Sequence, residues 1–291
     1  MIKRLAIIGV GLIGGSLARA LRQHSYVDEI VGCGRGKANL DTALELGVID
    51  RYTHDPAEAV VDADMIVVAV NLRTIPAIFE SIAPSVGRDA IITDVGSAKE
   101  QVILAAERHL GAAFKRFVPG HPIAGTEKSG VEASFAELYV DHRVILTPTR
   151  MSEEAAVSQV RDMWARTGAQ VKQMDAALHD EVLAATSHLP HMVAFALVDC
   201  LSSMESSAEI FDFAAGGFRD FTRIASSNPP MWCDIALENR QALLRQLEAF
   251  EKTLSDLKRF LYDMDEDAML ALFERAKSAR DSIELPSSNA P

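Results

Sequence analysis

The sequence predicts an α/β fold, a doubly wound parallel sheet followed by an all-helical C-terminal domain. Three observations predict it. Between residues 3 and 174 short apolar runs alternate with helix-period segments, the pattern of a parallel sheet covered by helices. A glycine-rich turn, Gly9-Val10-Gly11-Leu12-Ile13-Gly14, stands between the first apolar run and the first amphipathic segment. After about residue 175 the strand signals stop and amphipathic helical sequence takes over.

In chain order, strands are expected at residues 4–8, 29–33, 65–70, 90–95, 117–119, 144–148 and 170–174, each a short run of apolar residues bounded by turn formers. Helices fit the intervals 14–23, 37–46, 74–81, 99–110 and 152–167. The C-terminal domain opens with a helical segment over 176–204, which Pro190 should kink because it lacks an N–H. Further on, Leu243, Leu247, Phe250, Leu254, Leu257 and Leu261 form a narrow apolar seam, which packs either inside one subunit or in a homodimer as well. The organisation expected is a first domain over 1–174 and a helical domain over 175–291, with a disordered tail at 286–291.

The 291 residues, 48% of them hydrophobic, suffice for a sizeable core. A net charge of -12 argues against nucleic acid and against an anionic membrane surface, both of which need a dense basic face. No run approaches the roughly 18 uncharged apolar residues that span a bilayer, and the N-terminus reads as native. Three scattered cysteines, Cys33, Cys200 and Cys233, give neither a disulfide framework nor a zinc site, so no metal and a cytoplasmic location are expected.

The glycine turn has the context that a GxGxxG dinucleotide site of the Rossmann type requires, a strand before it and a helix after it. Gly9 allows the tight turn, Gly11 lets a pyrophosphate approach the backbone, and Gly14 lets helix and strand pack closely. Leu12 and Ile13 complete the loop, and the strand ends at Gly34, Arg35, Val70 and Asn71 border the same crevice. A carboxylate after the second strand would select the 2′-hydroxyl of NAD. The stretch instead reads Cys33-Gly34-Arg35-Gly36-Lys37, with no carboxylate before Asp41. Arg35 and Lys37 are either solvated loop charges or partners of a 2′-phosphate, so NAD or NADP is expected, with NADP tolerated and the preference open.

A second polar loop, residues 120–130, reads Gly-His-Pro-Ile-Ala-Gly-Thr-Glu-Lys-Ser-Gly. His121, held between Gly and Pro, is able to accept a proton near neutral pH; the plain alternative is a surface histidine. This loop, the glycine turn, Asp94-Val95-Gly96-Ser97-Ala98-Lys99, Ser187-His188-Leu189-Pro190-His191 and Gly217-Phe218-Arg219-Asp220-Phe221-Thr222-Arg223 occur in one order over about residues 1–270. In that order they resemble the prephenate and arogenate dehydrogenases of tyrosine biosynthesis.

The resemblance implies an NAD(P)-dependent oxidative decarboxylation of a cyclohexadienol, driven by aromatisation, with prephenate and arogenate as small-molecule substrates. It implies His121 as the catalytic base and Ser97 as its partner in orienting the ring hydroxyl. Arg223 is the implied binder of a substrate carboxylate and His191 a second substrate contact, with Ser187 and His188 one turn before it. Thr126 and Glu127 match residues at the pocket mouth, Glu127 pairing with an arginine when substrate is absent. The resemblance and the seam together lead to the expectation of a homodimer. Two alternatives stand beside this: another two-domain dehydrogenase of the β-hydroxyacid or imine-reductase type, and a non-catalytic dinucleotide sensor, which would leave the histidines and Arg223 without a role.

Overall fold

The computed structural model describes residues 1–283. Its first sheet is built from β1 (Ile2–Ile8), α1 (Leu12–Gln23), β2 (Val27–Cys33), α2 (Lys37–Glu45), β3 (Arg51–Thr53), α3 (Pro56–Ala59), β4 (Met65–Val68), α4 (Ile75–Ile82), β5 (Ile91–Asp94), α5 (Glu100–His109) and β6 (Phe117–Val118). All six strands are parallel, in the order β3-β2-β1-β4-β5-β6. The order reverses between β1 and β4, and at such a switch point a doubly wound sheet opens a crevice at its C-terminal edge. Alternation along β1 shows the two covered faces: Leu5 and Ile7 enter one core with Leu17, Leu21 and Trp164, whereas Ala6 and Ile8 enter the other with Phe79 and Phe117.

The runs expected at 144–148 and 170–174 do not extend this sheet. They form β8 (Arg143–Leu146) and β9 (Gln170–Gln173), joined through α6 (Glu154–Arg166), in a second, three-stranded sheet with β7 (Gly120–Pro122). β7 pairs antiparallel with β8, and β8 pairs parallel with β9. The physical reason lies at Pro119 and Gly120. Pro119 has no N–H to give a ladder, and the Gly120 N–H donates to the Asp94 carboxylate at 3.2 Å rather than to a strand. The chain therefore leaves one sheet and starts the other at the position that carries His121.

The helices that follow are α7 (Ala176–Leu183), a π-helical turn (Ala184–His188), α8 (Leu189–Ser202), α9 (Ser207–Asp212), α10 (Gly216–Thr222), α11 (Pro229–Glu238), α12 (Arg240–Asp263) and α13 (Glu266–Ser282). The irregularity expected at Pro190 falls just before it, as the π turn. A proline cannot bond back to the carbonyl four residues earlier and crowds it, and a widened turn accommodates that loss. By length and composition the helical stretch Ala176–Ser202 would be able to cross a membrane. It carries the buried His179, Asp180 and His188, whose polar atoms bond to other elements of the fold, which marks it as a structural helix.

Contacts group Met1–Leu243 into one compact unit and the described residues from Leu244 onward into another. Within the second, Leu254, Leu261, Leu270 and Phe273 are at least half exposed, and Leu254, Leu257, Leu261 and Tyr262 line a shallow apolar hollow. The tail expected to be disordered, 286–291, lies outside the described residues.

Candidate active site

The glycine turn follows β1 at the crevice. Gly9 has φ +103°, and a Cβ there would meet the Ala69 carbonyl oxygen at 2.1 Å; a Cβ on Gly14 would meet the Gly9 carbonyl oxygen at 2.3 Å. Those two glycines are required by packing. Gly11 differs, since a Cβ there would have no atom within 4 Å, and no side chain caps the start of α1. The first N–H groups of a twelve-residue helix thus carry no side-chain cap and begin beside a backbone with open space where a side chain would stand, a cradle that fits a pyrophosphate. Asn39 Nδ2 donates to the Val10 carbonyl and Tyr139 Oη to that of Ile13, both at 2.6 Å, and so fix the loop that Leu12 and Ile13 complete.

Past β2, the Gly34 carbonyl accepts from His54 Nδ1 at 2.7 Å and Arg35 is exposed. Lys37 is committed to Asp41 at 2.7 Å, and Asp41 also accepts from Tyr52 Oη at 2.6 Å. Of the two cations considered for a 2′-phosphate, Lys37 starts from an exposed, weak ion pair and Arg35 from none that competes with it. Val70, half-buried, and Asn71, exposed, follow the end of β4 and lead into a 3₁₀ turn, Leu72–Thr74, that packs against α11.

His121 lies on β7 and is only 8% exposed. Its Nδ1 is 2.8 Å from Nε2 of His179, and His179 Nδ1 is 2.7 Å from Oδ1 of Asp180. The Asp180 carboxylate accepts two further bonds, from the backbone N–H of Lys99 at 2.8 Å and of Glu100 at 2.9 Å, which begin α5. Two backbone N–H groups at a helix N-terminus and the His179 ring thus converge on this buried carboxylate. Burial pushes His121 well below the ordinary histidine range, and the nearby His179, Lys99 and His188 push it the same way. His179 is also lowered, by burial first, with Asp180 opposing. His121 is therefore neutral at physiological pH.

Beneath it lies an ion pair with both side chains fully buried. Lys99 Nζ donates to Asp94 Oδ2 at 2.5 Å and to the Gly120 carbonyl at 2.8 Å, and Asp94 also accepts from the N–H groups of Gly96 and Gly120. The pair ties the end of β5 to the peptide that precedes His121. Removing either partner would leave an uncompensated buried charge, at a cost of about 3–5 kcal/mol. Half-buried Ser97 sits in the loop that this pair closes.

On the far wall, buried His188 accepts at Nδ1 from Asn239 Nδ2 at 3.1 Å, and the same amide donates to the Asp180 carbonyl at 2.8 Å. The proton of His188 is thereby placed on Nε2, which is buried without a hydrogen-bond partner. Burial lowers this histidine to about 4, and the Ser97 backbone is close enough to oppose that fall, though short of hydrogen-bond geometry. His191 stacks on Trp232 with ring centres 3.5 Å apart, and its Nδ1 donates to the Ser187 carbonyl at 2.9 Å. His188 meets the same indole edge-on.

Arg223 begins a short turn that packs on α8, and its guanidinium is ion-paired with Glu127. Both are solvent-accessible, Arg223 at 64%. Thr126 is exposed, its hydroxyl accepting from the Lys128 N–H.

The structure thus brings His121, Ser97 and His188 into one neighbourhood, stacks His191 on Trp232, and joins Glu127 to Arg223, pairing a loop residue with one 96 positions away. Sequence reasoning assigned no role to His179, Asp180, Asn239, Lys99 or Asp94. Lys99 and Asp94 fell inside a motif already singled out. A consecutive histidine and aspartate on a helix resemble a solvated face, and only tertiary burial distinguishes them.

Two family models match, one described as the nucleotide-binding domain of prephenate dehydrogenase over residues 17–173 and one as its dimerization domain over 175–275. A cyclohexadienyl dehydrogenase of Zymomonas mobilis is 39% identical over 280 residues, covering 96% of this chain and 95% of the relative. A prephenate dehydrogenase of Bacillus subtilis is 35% identical over 97% of this chain and 76% of its own length. Among solved structures, an Aquifex aeolicus prephenate dehydrogenase in complex with hydroxyphenyl propionate and NAD+ superposes with a TM-score of 0.90 at 38% identity, covering 98% and 99% of the two chains. A Synechocystis arogenate dehydrogenase superposes at 0.79 with 27% identity, over 96% and 99%. With two models spanning most of its length and a relative aligned from end to end, the chain belongs to the prephenate dehydrogenase family.

Proposed function

We propose that this chain oxidatively decarboxylates prephenate, and accepts arogenate as well, with NAD or NADP, yielding 4-hydroxyphenylpyruvate or tyrosine. The observation that carries the reading is His121, a buried, neutral imidazole whose Nδ1 is already engaged and whose Nε2 is left as the basic position. Nε2 takes the proton of the ring hydroxyl as the carbonyl forms, and Ser97 orients that hydroxyl. Bound at the glycine turn by Gly9, Gly11, Leu12, Ile13, Gly14, Gly34, Arg35, Val70 and Asn71, the dinucleotide supplies the hydride acceptor. The ring carboxylate leaves as carbon dioxide, and aromatisation makes the step irreversible.

Arg223 binds the side-chain carboxylate of the substrate, which displaces Glu127 from the guanidinium. Thr126 lines the entrance beside them. His191, held flat by Trp232, and Ser187 and His188 from the same helical stretch complete the substrate wall, His188 offering its partnerless Nε2–H. Steady-state assays with both substrates and both cofactors test this. Turnover of prephenate is expected, and cofactor binding with turnover of neither substrate would overturn it. Arg35 is the group that tolerates NADP, so a kcat/KM strongly favouring NAD would remove its assigned role.

The helical region from 175 onward is the substrate and dimerisation domain of this reading, and the chain acts as a homodimer. Support comes from the apolar row of exposed Leu254 and Leu261 with half-buried Leu257 between them, and from the family model over 175–275. Sedimentation is expected to give a dimer at micromolar concentration, and Leu254→Glu with Leu261→Glu to give monomers. The free thiols Cys33, Cys200 and Cys233 support a reducing, cytoplasmic setting.

A further inference from the structure

We propose that Asp180, acting through His179, is a positioning residue that fixes the tautomer of His121 and so keeps the base turned toward the substrate. The inference rests on the assignment of His121 as the base and deepens it. It follows from counting donors and acceptors along one buried row. Asp180 Oδ1 and Oδ2 accept the N–H groups of Lys99 and Glu100 at 2.8 and 2.9 Å, so the carboxylate is anchored as an acceptor at the start of α5. Across the 2.7 Å contact to His179, a carboxylate whose two oxygens already accept from the backbone accepts once more; the proton of His179 therefore resides on Nδ1. Its Nε2 is then a lone pair. Across the 2.8 Å contact to His121 that lone pair only accepts, so the proton of His121 resides on its own Nδ1. What remains is a lone pair on His121 Nε2, the atom the reaction needs unprotonated.

When Nε2 takes the hydroxyl proton, His121 becomes an imidazolium with both nitrogens protonated. Its Nδ1–H stays donated to His179, whose ring is polarised by the Asp180 charge. No proton passes to the carboxylate. The arrangement places a negative charge two rings away from the base, where it stabilises the charge that develops without neutralising the base beforehand. Lys99 makes this compatible with burial: its ammonium is occupied by Asp94 and the Gly120 carbonyl, and only its backbone N–H faces Asp180.

A carboxamide at position 180 separates this from simple packing. In Asp180→Asn an NH₂ at the Oδ1 position donates to His179 Nδ1 and gives up the bond from the Lys99 N–H, which shares that atom, while the amide oxygen keeps the bond from Glu100. Both tautomers then reverse, and His121 carries its proton on Nε2. In an analogous triad a carboxylate-to-amide change that forces the wrong tautomer lowers kcat roughly 10⁴-fold with the geometry intact. With one more ring in the row, a fall of about 10²–10⁴ is expected here, with cofactor affinity close to the parent and a melting temperature lowered by the lost bond from Lys99. His179→Gln, whose amide oxygen keeps an acceptor for His121, should retain more activity than His179→Leu.

The direct readout is long-range 15N–1H correlation of histidine-labelled enzyme saturated with NAD, His121 being assigned from the signal lost in His121→Asn. Protonation at Nδ1 in the parent and at Nε2 in Asp180→Asn is the expected result. A parent protonated at Nε2 overturns the proposal, even if Asp180→Asn fails to fold. So does a folded Asp180→Asn with kcat within threefold of the parent while His121→Asn is crippled. If His121→Asn itself keeps near-normal kcat, the assignment of the base is wrong, and the positioning role falls with it.

Discussion

The His121 side of the site and the Arg223 side bind charge in opposite ways. Around His121 every polar partner comes from the fold itself: His179, Asp180, Lys99 and Asp94 are buried, and their bonds are complete before a substrate arrives. Around Arg223 the carboxylate partner is Glu127, on an exposed loop, and the pair is largely solvated. Preorganised groups in a dry environment change little during turnover and act on the barrier. A solvated ion pair is worth little, about 0–1 kcal/mol, and is readily exchanged for a better-placed carboxylate. The difference assigns chemistry to one side and recognition to the other.

The largest effect should come from the buried side. His121→Asn keeps a side chain of similar shape but removes the base, and kcat is expected to fall roughly 10²–10⁴-fold, with KM and cofactor affinity little changed. A fall in KM of the same size as in kcat would show that His121 also strains the bound substrate, and would blur the comparison.

Arg223→Ala should behave the other way. A charge-assisted bond to a carboxylate contributes about 1.5–3 kcal/mol, so KM should rise roughly 10–150-fold, with a smaller loss in kcat from looser positioning. Unchanged KM in this variant would end the division of roles.

Acid stability tests the burial of the histidines. His188 has its folded-state value lowered to about 4, and His121 and His179 are lowered as well. The unfolded chain binds these protons near 6.5, so stability is fully present above that pH and is lost as pH falls toward the folded values. At pH 5 His188 alone should cost about 2 kcal/mol. Thermal unfolding followed between pH 7.5 and 5 should show a falling midpoint, and a flat profile would contradict the buried neutral state.

The smallest effect is expected on the exposed side. Glu127→Gln releases Arg223 from its resting partner, and KM should fall about twofold to fivefold or less, because the solvated pair holds under about 1 kcal/mol. A large rise in KM would mean that Glu127 contacts the substrate rather than competing with it.

The same contrast explains what could be read in the sequence. The glycine turn was legible because its function is local: a strand, three spaced glycines and a helix specify the cradle within fourteen residues. Arg223 and Glu127 were legible through motif order. Their pairing was foreseen only as Glu127 meeting an arginine, since nothing in a sequence measures a contact across 96 positions. The strands at 144–148 and 170–174 were found, but their sheet was not, because the decisive event is a single N–H, that of Gly120, turning to a buried carboxylate. His179 and Asp180 gave no signal. Their spacing carries no period that separates a helix face in water from one against β7, and their role depends on burial that the whole unit creates.

The most direct test of His121 as the base is the pH dependence of kcat/KM for prephenate, measured in the parent and in His121→Asn. The parent is expected to lose activity on the acid side with a single proton uptake below about pH 6.5, the ordinary histidine value that His179, Lys99, His188 and burial all push His121 beneath. In His121→Asn the residual rate should lack that limb. An acid limb that persists unchanged in the variant would place the base elsewhere and contradict the assignment of chemistry to the buried side.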